Sequence, residues 1–303
     1  MTQLIESIRH QSSGDIELVI IIERSERLFH LLVQQLRGIG IRSLVVFATQ
    51  KLGISRARNI GIRLSSGDII AFVDDDAVVC ENWKDSMLRA FESNPSVIGV
   101  VGPSLPSWEN AEDDWLPQEF YWMIGCSAWT GWVGRRKVKY GWGVNMSFRR
   151  MVFSKCSFQE GFSDGAGSAG KVGPVGDDTD FCYRATTAFN SVMLYEPSMK
   201  VMHWVYHSRM QRRVLRKYSF WQGYAEAKFI LDLGAGTTRS RSQAALLSAV
   251  LTRMIPNIFA DAVNRRSKAA KEIKLLFDFS AFFAIGFLSF ASPLLLKLCK
   301  PRI

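Results

Sequence analysis

Cysteine is scarce in this chain and follows no pattern. There are five in 303 residues: Cys80, Cys126, Cys156, Cys182 and Cys299. The count is odd and no two form a C-x-x-C pair. That excludes a disulfide framework or a cysteine zinc site and predicts the reduced thiols of a cytoplasmic protein. The polar N-terminus lacks the apolar core of a secretory leader. Internal repeats and long low-complexity tracts are also absent. Negative charge is in deficit, with 38 Lys and Arg against 28 Asp and Glu, a net charge of +10. Basic residues are dense from Arg209 onward, which predicts an anionic partner: phosphate, nucleic acid or acidic lipid. Hydrophobic residues make up 48% of the chain, enough to bury a sizeable core in one large domain or two small ones.

The hydrophobic pattern is that of an α/β layer. TQLIESIRHQ has helical spacing, with Leu4, Ile5 and Ile8 on one side. ELVIII (Glu17 to Ile22) reads as a strand covered on both faces. ERLFHLLVQQLRGIG then forms a helix closed by glycines. LVVFA (Leu44 to Ala48) is a second strand. In ISRARNIGIRLSSG, Ser55 is placed to cap a helix that ends at Ser-Ser-Gly, and IIAFV is a third strand. Strands alternating with helices predict a largely parallel sheet.

Ligands in such sheets bind outside the carboxyl ends of the strands. The third strand ends there on three carboxylates, Asp74, Asp75 and Asp76. Like charges in a row fit either a solvated acidic turn or a divalent cation carrying a diphosphate. The aromatic-rich stretch Trp108 to Trp142 suits a cleft for a sugar or a lipid head, or an ordinary core edge. GWGVNMSFRRMVF predicts a strand beneath the site, and the Gly-rich GFSDGAGSAGKVGPV a mobile cover. In GDDTDFCYRATTAF, Asp177 and Asp178 open a helix. They either complement its dipole or supply a general base. His203 and His207 follow in a strand-like segment, either as satisfied structural histidines or as a further metal ligand near the triplet.

After His207 the composition changes. RMQRRVLRKYSFWQGYAEAKFI is a basic helix with aromatics, and AALLSAVLTRMIPNIF is apolar. Phe279 to Leu296 is uncharged and about 18 residues long, the lower limit for a membrane span. Basic residues flank it on both sides (Arg265, Arg266, Lys268, Lys271 and Lys274; Lys297, Lys300 and Arg302). A short span, an interfacial helix and a buried C-terminal helix of a soluble protein all fit; the expectation is membrane association, with the rest of the chain on the cytoplasmic face. The expected division is a catalytic domain over 1–230 and a membrane-associated helical region over 231–303.

Five motifs in order carry a resemblance: A-R-N-x-G (Ala57 to Gly61), G-D-I-I-A-F-V-D-D-D, N-M-S-F-R-R (Asn145 to Arg150), G-D-D-T-D-F-C-Y-R (Gly176 to Arg184) and Y-E-P-x-x-x-V-x-H (Tyr195 to His203). Together they resemble family 2 glycosyltransferases of GT-A fold, in which a mixed, mostly parallel sheet is flanked by helices. W-L-P-Q-E-F-Y-W-M-I-G-C is similar to archaeal and actinobacterial members acting on lipid-linked glycans. The resemblance implies inverting transfer from a nucleotide-diphosphate sugar, UDP-linked by expectation, to a lipid-linked or glycan acceptor.

The resemblance also implies roles. Asp74 and Asp76 hold Mn²⁺ or Mg²⁺, with His203 within reach of the metal. Asp75, Arg58, Asn59 and Glu23 contact or shape the nucleotide pocket. Asp178 is the base, with Asp177 as the alternative. The family normally opens with a strand of the type V-S-V-V-I-P-T-Y-N, whereas this chain begins at the following helix. The strands beside that position are expected to leave backbone groups unpaired. A non-catalytic nucleotide- or lipid-binding descendant is the competing expectation. Nucleic acid is not expected, because the positive charge sits beside the apolar C-terminus and away from any recognisable nucleic-acid motif.

Overall fold

The computed structural model describes residues 1–11, 16–160, 175–233 and 266–291, with isolated positions at 255, 256, 258 and 260. The Gly-rich stretch from residue 161, Ser240 and the end of the apolar run beyond residue 291 lie outside the described residues. The chain divides into two compact units. The first is built from Met1–Ser104, the segment following Gly134, and Asp177–His203. The second holds Leu105–Val133 and the chain from Trp204. This differs from the expected boundary at residue 230, because the helix before that point packs with the apolar helix after it.

The first unit opens with α1 (Thr2–Arg9), then β1 (Glu17–Glu23), α2 (Glu26–Gln35), β2 (Arg42–Ala48), α3 (Ile54–Leu64) and β3 (Ile69–Val73). The Ser25 hydroxyl caps α2 by accepting from the Leu28 amide at 3.3 Å. The expected apolar face of α1 is buried, and it divides between two cores. Leu4 and Ile8 join Val79, Trp83, Phe91, Val100 and Val201. Ile5 joins Ile20, Ile22, Leu32 and Leu36. β1 is not covered on both faces: Ile20 and Ile22 are buried, while the alternate positions Val19 and Ile21 are partly exposed. One packed layer buries only every second residue of a strand.

β4 (Ala77–Val79), α4 (Trp83–Ser93), β5 (Gly99–Val101) and β6 (Ser104–Trp108) follow. Next come β7 (Arg136–Val138), β8 (Asn145–Arg149), α5 (Asp177–Ala188), β9 (Met193–Tyr195) and β10 (Val201–Val205). A five-stranded sheet has the order β3-β8-β5-β9-β7, and β1 and β2 form a separate parallel pair. β5 and β9 are parallel, while β8 runs antiparallel to both β3 and β5. The sheet is mixed as expected, with a smaller parallel share than the alternation of strands and helices suggested. Helix crossovers enforce parallel neighbours only where the linked strands sit side by side, and β8 inserts between β3 and β5. Among the described residues β1 pairs only with β2, and β3 only with β8. Among these residues each therefore keeps one edge without a ladder.

Asn145, fully buried at the start of β8, ties this framework together. Its amide nitrogen donates to the carbonyls of Met199 (2.6 Å) and Pro103 (3.2 Å), and its oxygen accepts from the Trp83 indole at 2.9 Å. Asn145→Ala takes this partner from the buried Met199 carbonyl and Trp83 indole, while the Pro103 carbonyl still accepts from the Val201 amide at 3.0 Å. It is expected to cost about 2–4 kcal/mol of stability in urea unfolding, with an unchanged denaturant slope.

Candidate active site

β3 ends at Val73, and the chain then turns. The Ala77 amide donates to the Asp74 carbonyl at 3.0 Å, so Asp74 to Asp76 line a tight turn between β3 and β4. β4 pairs antiparallel with β10 in a register that sets His203 opposite Ala77. This places the buried imidazole beside the turn, with Nε2 3.1 Å from Asp76 Oδ1. One ligand atom from each of Asp74, Asp76 and His203 lies within 4.8 Å of the other two. Two carboxylates and an imidazole suit a divalent cation that takes its other ligands from phosphate and water, so the residues present fit Mn²⁺ or Mg²⁺. Asp75 is exposed, and its carbonyl accepts from the Met1 amine at 2.6 Å.

α3 brings a cation to the same place. Arg58 Nη1 donates to Asp177 Oδ2 at 2.7 Å, and Nη2 lies 3.7 Å from Asp74 Oδ1. The Arg58 side chain is only 9% exposed. Its guanidinium lies 5.3 Å from the centre of the Phe158 ring and 6.0 Å from that of Phe72. Burial works against its charge, but Asp177, Asp74 and Asp178 more than offset this and raise its pKa. Asp74 is pushed above the ordinary carboxylate range. Burial is the main cause and Asp76 and Asp75 add to it, with Arg58 and His203 pulling the other way.

The two acids that open α5 differ. Asp177 is buried and committed to Arg58, and its Oδ2 also accepts from the Ser55 hydroxyl at 3.4 Å. Asp178 is partly exposed. Its Oδ2 accepts from the Gly143 amide at 2.9 Å and its Oδ1 from the Thr179 amide at 2.7 Å. Burial and then the neighbouring Asp177 raise its pKa, against Arg58 and the two amides. Gly143 is glycine for a steric reason: a Cβ there would overlap the Arg58 guanidinium.

Six of the ten residues singled out in the sequence therefore meet: Arg58, Asp74, Asp76, Asp177, Asp178 and His203. Asn59 does not join them. Both ends of its amide bond the Phe158 backbone, at 2.9 and 3.0 Å, so it braces the segment whose ring covers Arg58. Adjacent helix positions point about 100° apart, which sends Arg58 and Asn59 in different directions. Glu23 closes β1 opposite Ala48. His207 pairs instead with Asp113 in the second unit, Nδ1 to Oδ1 at 2.9 Å. Ser55, Gly143, Thr179 and the two phenylalanine rings were not foreseen. Ser55 lies inside α3, whose N-cap is Gly53.

The two acids should separate in stability measurements. Asp177→Asn strips the buried guanidinium of its shortest partner and is expected to cost about 3 kcal/mol in urea unfolding. For Asp178, a folded-state pKa above the unfolded value means that the charge opposes folding. The opposition is full above the folded pKa and absent below the unfolded value of about 4. Asp178→Asn is accordingly expected to raise Tm at neutral pH, with the gain vanishing in acid. Equal losses in both variants would contradict this assignment.

The family model described as Glycosyl transferase family 2 matches residues 1–157. Over 287 residues the chain is 27% identical to the glucosyl-dolichyl phosphate glucuronosyltransferase of Haloferax volcanii, covering 94% of this chain and 89% of that protein. The succinoglycan biosynthesis protein ExoM of Rhizobium meliloti is 28% identical over 197 residues, 60% of this chain and 55% of that one. Among solved structures, the mannosyltransferase PcManGT from Pyrobaculum calidifontis, in complex with GDP-Man and Mn²⁺, superposes with a TM-score of 0.58 at 12% identity, covering 96% of this chain and 83% of that one. GalNAc-T7 with UDP, GalNAc and Mn²⁺ gives 0.50 at 12% identity, covering 86% and 54%. At such identity these likenesses speak to the fold alone, and the fold is GT-A. With the family model covering more than half of its length, the chain belongs to glycosyltransferase family 2.

Proposed function

We propose that this enzyme moves a sugar, with inversion, from a nucleotide-diphosphate donor of the UDP-sugar class to a lipid-linked acceptor, either a polyprenyl phosphate or a glycan carried on one. The observation that carries the proposal is the meeting of Asp74, Asp76 and His203 with Arg58 at the carboxyl end of β3. A divalent cation held by Asp74, Asp76 and His203 supplies positive charge for the donor diphosphate. Arg58 adds a fixed guanidinium 3.7 Å from Asp74, and its charge survives burial. Asp75, exposed at the tip of the turn, faces ribose or sugar hydroxyls, and Glu23 lines the nucleotide side.

Asp178 acts as the general base. On a glycan acceptor it takes the proton of the hydroxyl as that oxygen attacks the anomeric carbon, whereas a polyprenyl phosphate attacks through an oxygen that is already ionised. The new carbon–oxygen bond forms while the bond to the diphosphate breaks, and the leaving diphosphate takes the electron pair. Partial exposure and a raised pKa suit a carboxylate that accepts a proton during turnover. Asp177 is a positioning residue in this scheme, because its carboxylate holds Arg58.

The likeness to the Haloferax volcanii protein, whose name gives glucosyl-dolichyl phosphate, supports a lipid-linked acceptor. Membrane association of the C-terminal region fits such an acceptor, since Ala270–Phe290 is long and apolar enough to cross a membrane. The four described cysteines are all free thiols, which fits a catalytic face in the cytoplasm, where nucleotide sugars are made.

The test is a panel of nucleotide sugars offered with a polyprenyl phosphate or membrane lipid extract in the presence of Mn²⁺. With a hydroxyl acceptor, Asp178→Asn is expected to lower kcat by about 10²–10⁴-fold with little change in donor affinity. Asp76→Asn should abolish metal-dependent UDP binding while the fold is retained. UDP affinity unchanged in Asp76→Asn would remove the metal assignment. A larger kcat loss in Asp177→Asn than in Asp178→Asn, at equal folded fraction, would exchange the roles of the two acids.

A further inference from the structure

The second unit carries a face that the transfer chemistry does not use. α6 (Arg212–Leu233) and α7 (Arg266–Ala291) lie against each other. Gly223 and Gly286 let their backbones approach closely. A Cβ on either would overlap the other helix's main chain, at Phe283 or Phe220. The Ser219 hydroxyl donates to the Phe279 carbonyl at 2.6 Å, and Arg216 Nε lies 2.9 Å from both carboxylate oxygens of Asp278. Leu275, Phe279, Gly286 and Ser289 are buried. The other side of α7 is open. Ile273 (41% exposed), Phe277 (73%), Ile285 (36%) and Leu288 (57%) line one face, with Ala281 and Ala284 exposed between them. From Phe277 to Leu288 the exposed positions carry no charge, and Ser280 is their one polar residue. Lys271 and Lys274 stand exposed where the stripe begins.

We infer that α7 lies in the plane of an anionic membrane, with this stripe at the boundary between headgroups and acyl chains, and does not cross the bilayer. The inference rests on the reading that the C-terminal region meets a membrane, and adds how it does so. Length and composition alone would allow a crossing. The middle of the helix does not. Asp278 falls inside Ala270–Phe290, and its partner Arg216 keeps 40% of its side chain exposed. In a spanning orientation that ion pair, with its exposed guanidinium, would sit in hydrocarbon, where ionised groups persist only when enclosed. Lying flat keeps α6 and the ion pair on the water side and puts the stripe in lipid. It also brings Lys271 and Lys274 to the phosphates. The exposed Arg212 and Arg213 at the start of α6 add to a basic surface that attracts anionic headgroups and repels a second basic copy of this chain.

The test uses the full chain and two vesicle types, phosphatidylcholine alone and phosphatidylcholine with about one third phosphatidylserine, read by co-sedimentation. The native chain is expected to favour the anionic vesicles. A Phe277→Glu, Leu288→Glu double variant should bind them about a hundredfold more weakly, having lost two apolar anchors, with its melting curve and its UDP affinity unchanged. Spin labels at 277 and 288, on a cysteine-free background, then report depth. Equal depths fit a helix lying flat, whereas a crossing helix separates them by about 16 Å, eleven residues at about 1.5 Å each. Unequal depths overturn the flat orientation and leave the membrane reading standing. A double variant that binds like the native chain means that the stripe is covered by protein, and overturns the inference. Native chain that ignores both vesicle types overturns the inference and the membrane reading together, without touching the transferase chemistry.

Discussion

A buried guanidinium holds the charges of this active site together. Asp74, Asp177 and Asp178 come from two distant parts of the chain, and without Arg58 they would form an uncompensated acidic corner. The local sequence around Arg58 serves that one requirement. Ser55, one turn earlier on α3, adds a hydroxyl to the same Asp177 oxygen. Asn59, the next residue, fixes the Phe158 backbone, and the Phe158 ring lies against the guanidinium. Gly143 leaves room for the guanidinium and turns its own amide to Asp178. A guanidinium keeps its charge in such a place, where a lysine would tend to lose its proton.

The site retains groups that do not favour folding. Asp74 and Asp178 both sit above the ordinary carboxylate range because burial and neighbouring acids outweigh the nearby cations. A fold selected only for stability would neutralise them or move them into water. Their persistence where β3 and the start of α5 meet is the pattern expected where binding or proton transfer depends on the strained charge. Asp177 is different, since its ion pair and its hydroxyl contact account for it structurally.

Most of the site was legible in the sequence because its residues cluster at element ends. The triplet ends a strand, and the two acids begin a helix. Such positions follow from hydrophobic periodicity and from where ligands bind in α/β sheets. Orientation was not legible. A-R-N-x-G locates Arg58 and Asn59 but does not say that one faces the carboxylates and the other a backbone 99 residues away. Ser55 was read as a cap because its type suits one, while its actual partner, Asp177, depends on long-range packing. β8 was recognised as a strand, yet its antiparallel insertion between β3 and β5 is set by register that no local pattern encodes. The grouping of α6 with α7 was missed for the same reason. The glycines that let them touch are separated by more than sixty positions, and each alone looks like an interruption of a helix.

The central claim is that Asp74, Asp76 and His203 hold a divalent cation against the diphosphate of a nucleotide sugar. Paramagnetic resonance of Mn²⁺ tests it most directly. On adding protein and UDP, the sharp signal of free Mn²⁺ is expected to vanish and the bound ion to show coupling both to phosphorus and to an imidazole nitrogen. The nitrogen coupling should be lost in His203→Ala. Bound Mn²⁺ without phosphorus coupling, or with nitrogen coupling intact in His203→Ala, would place the ion elsewhere and contradict the account.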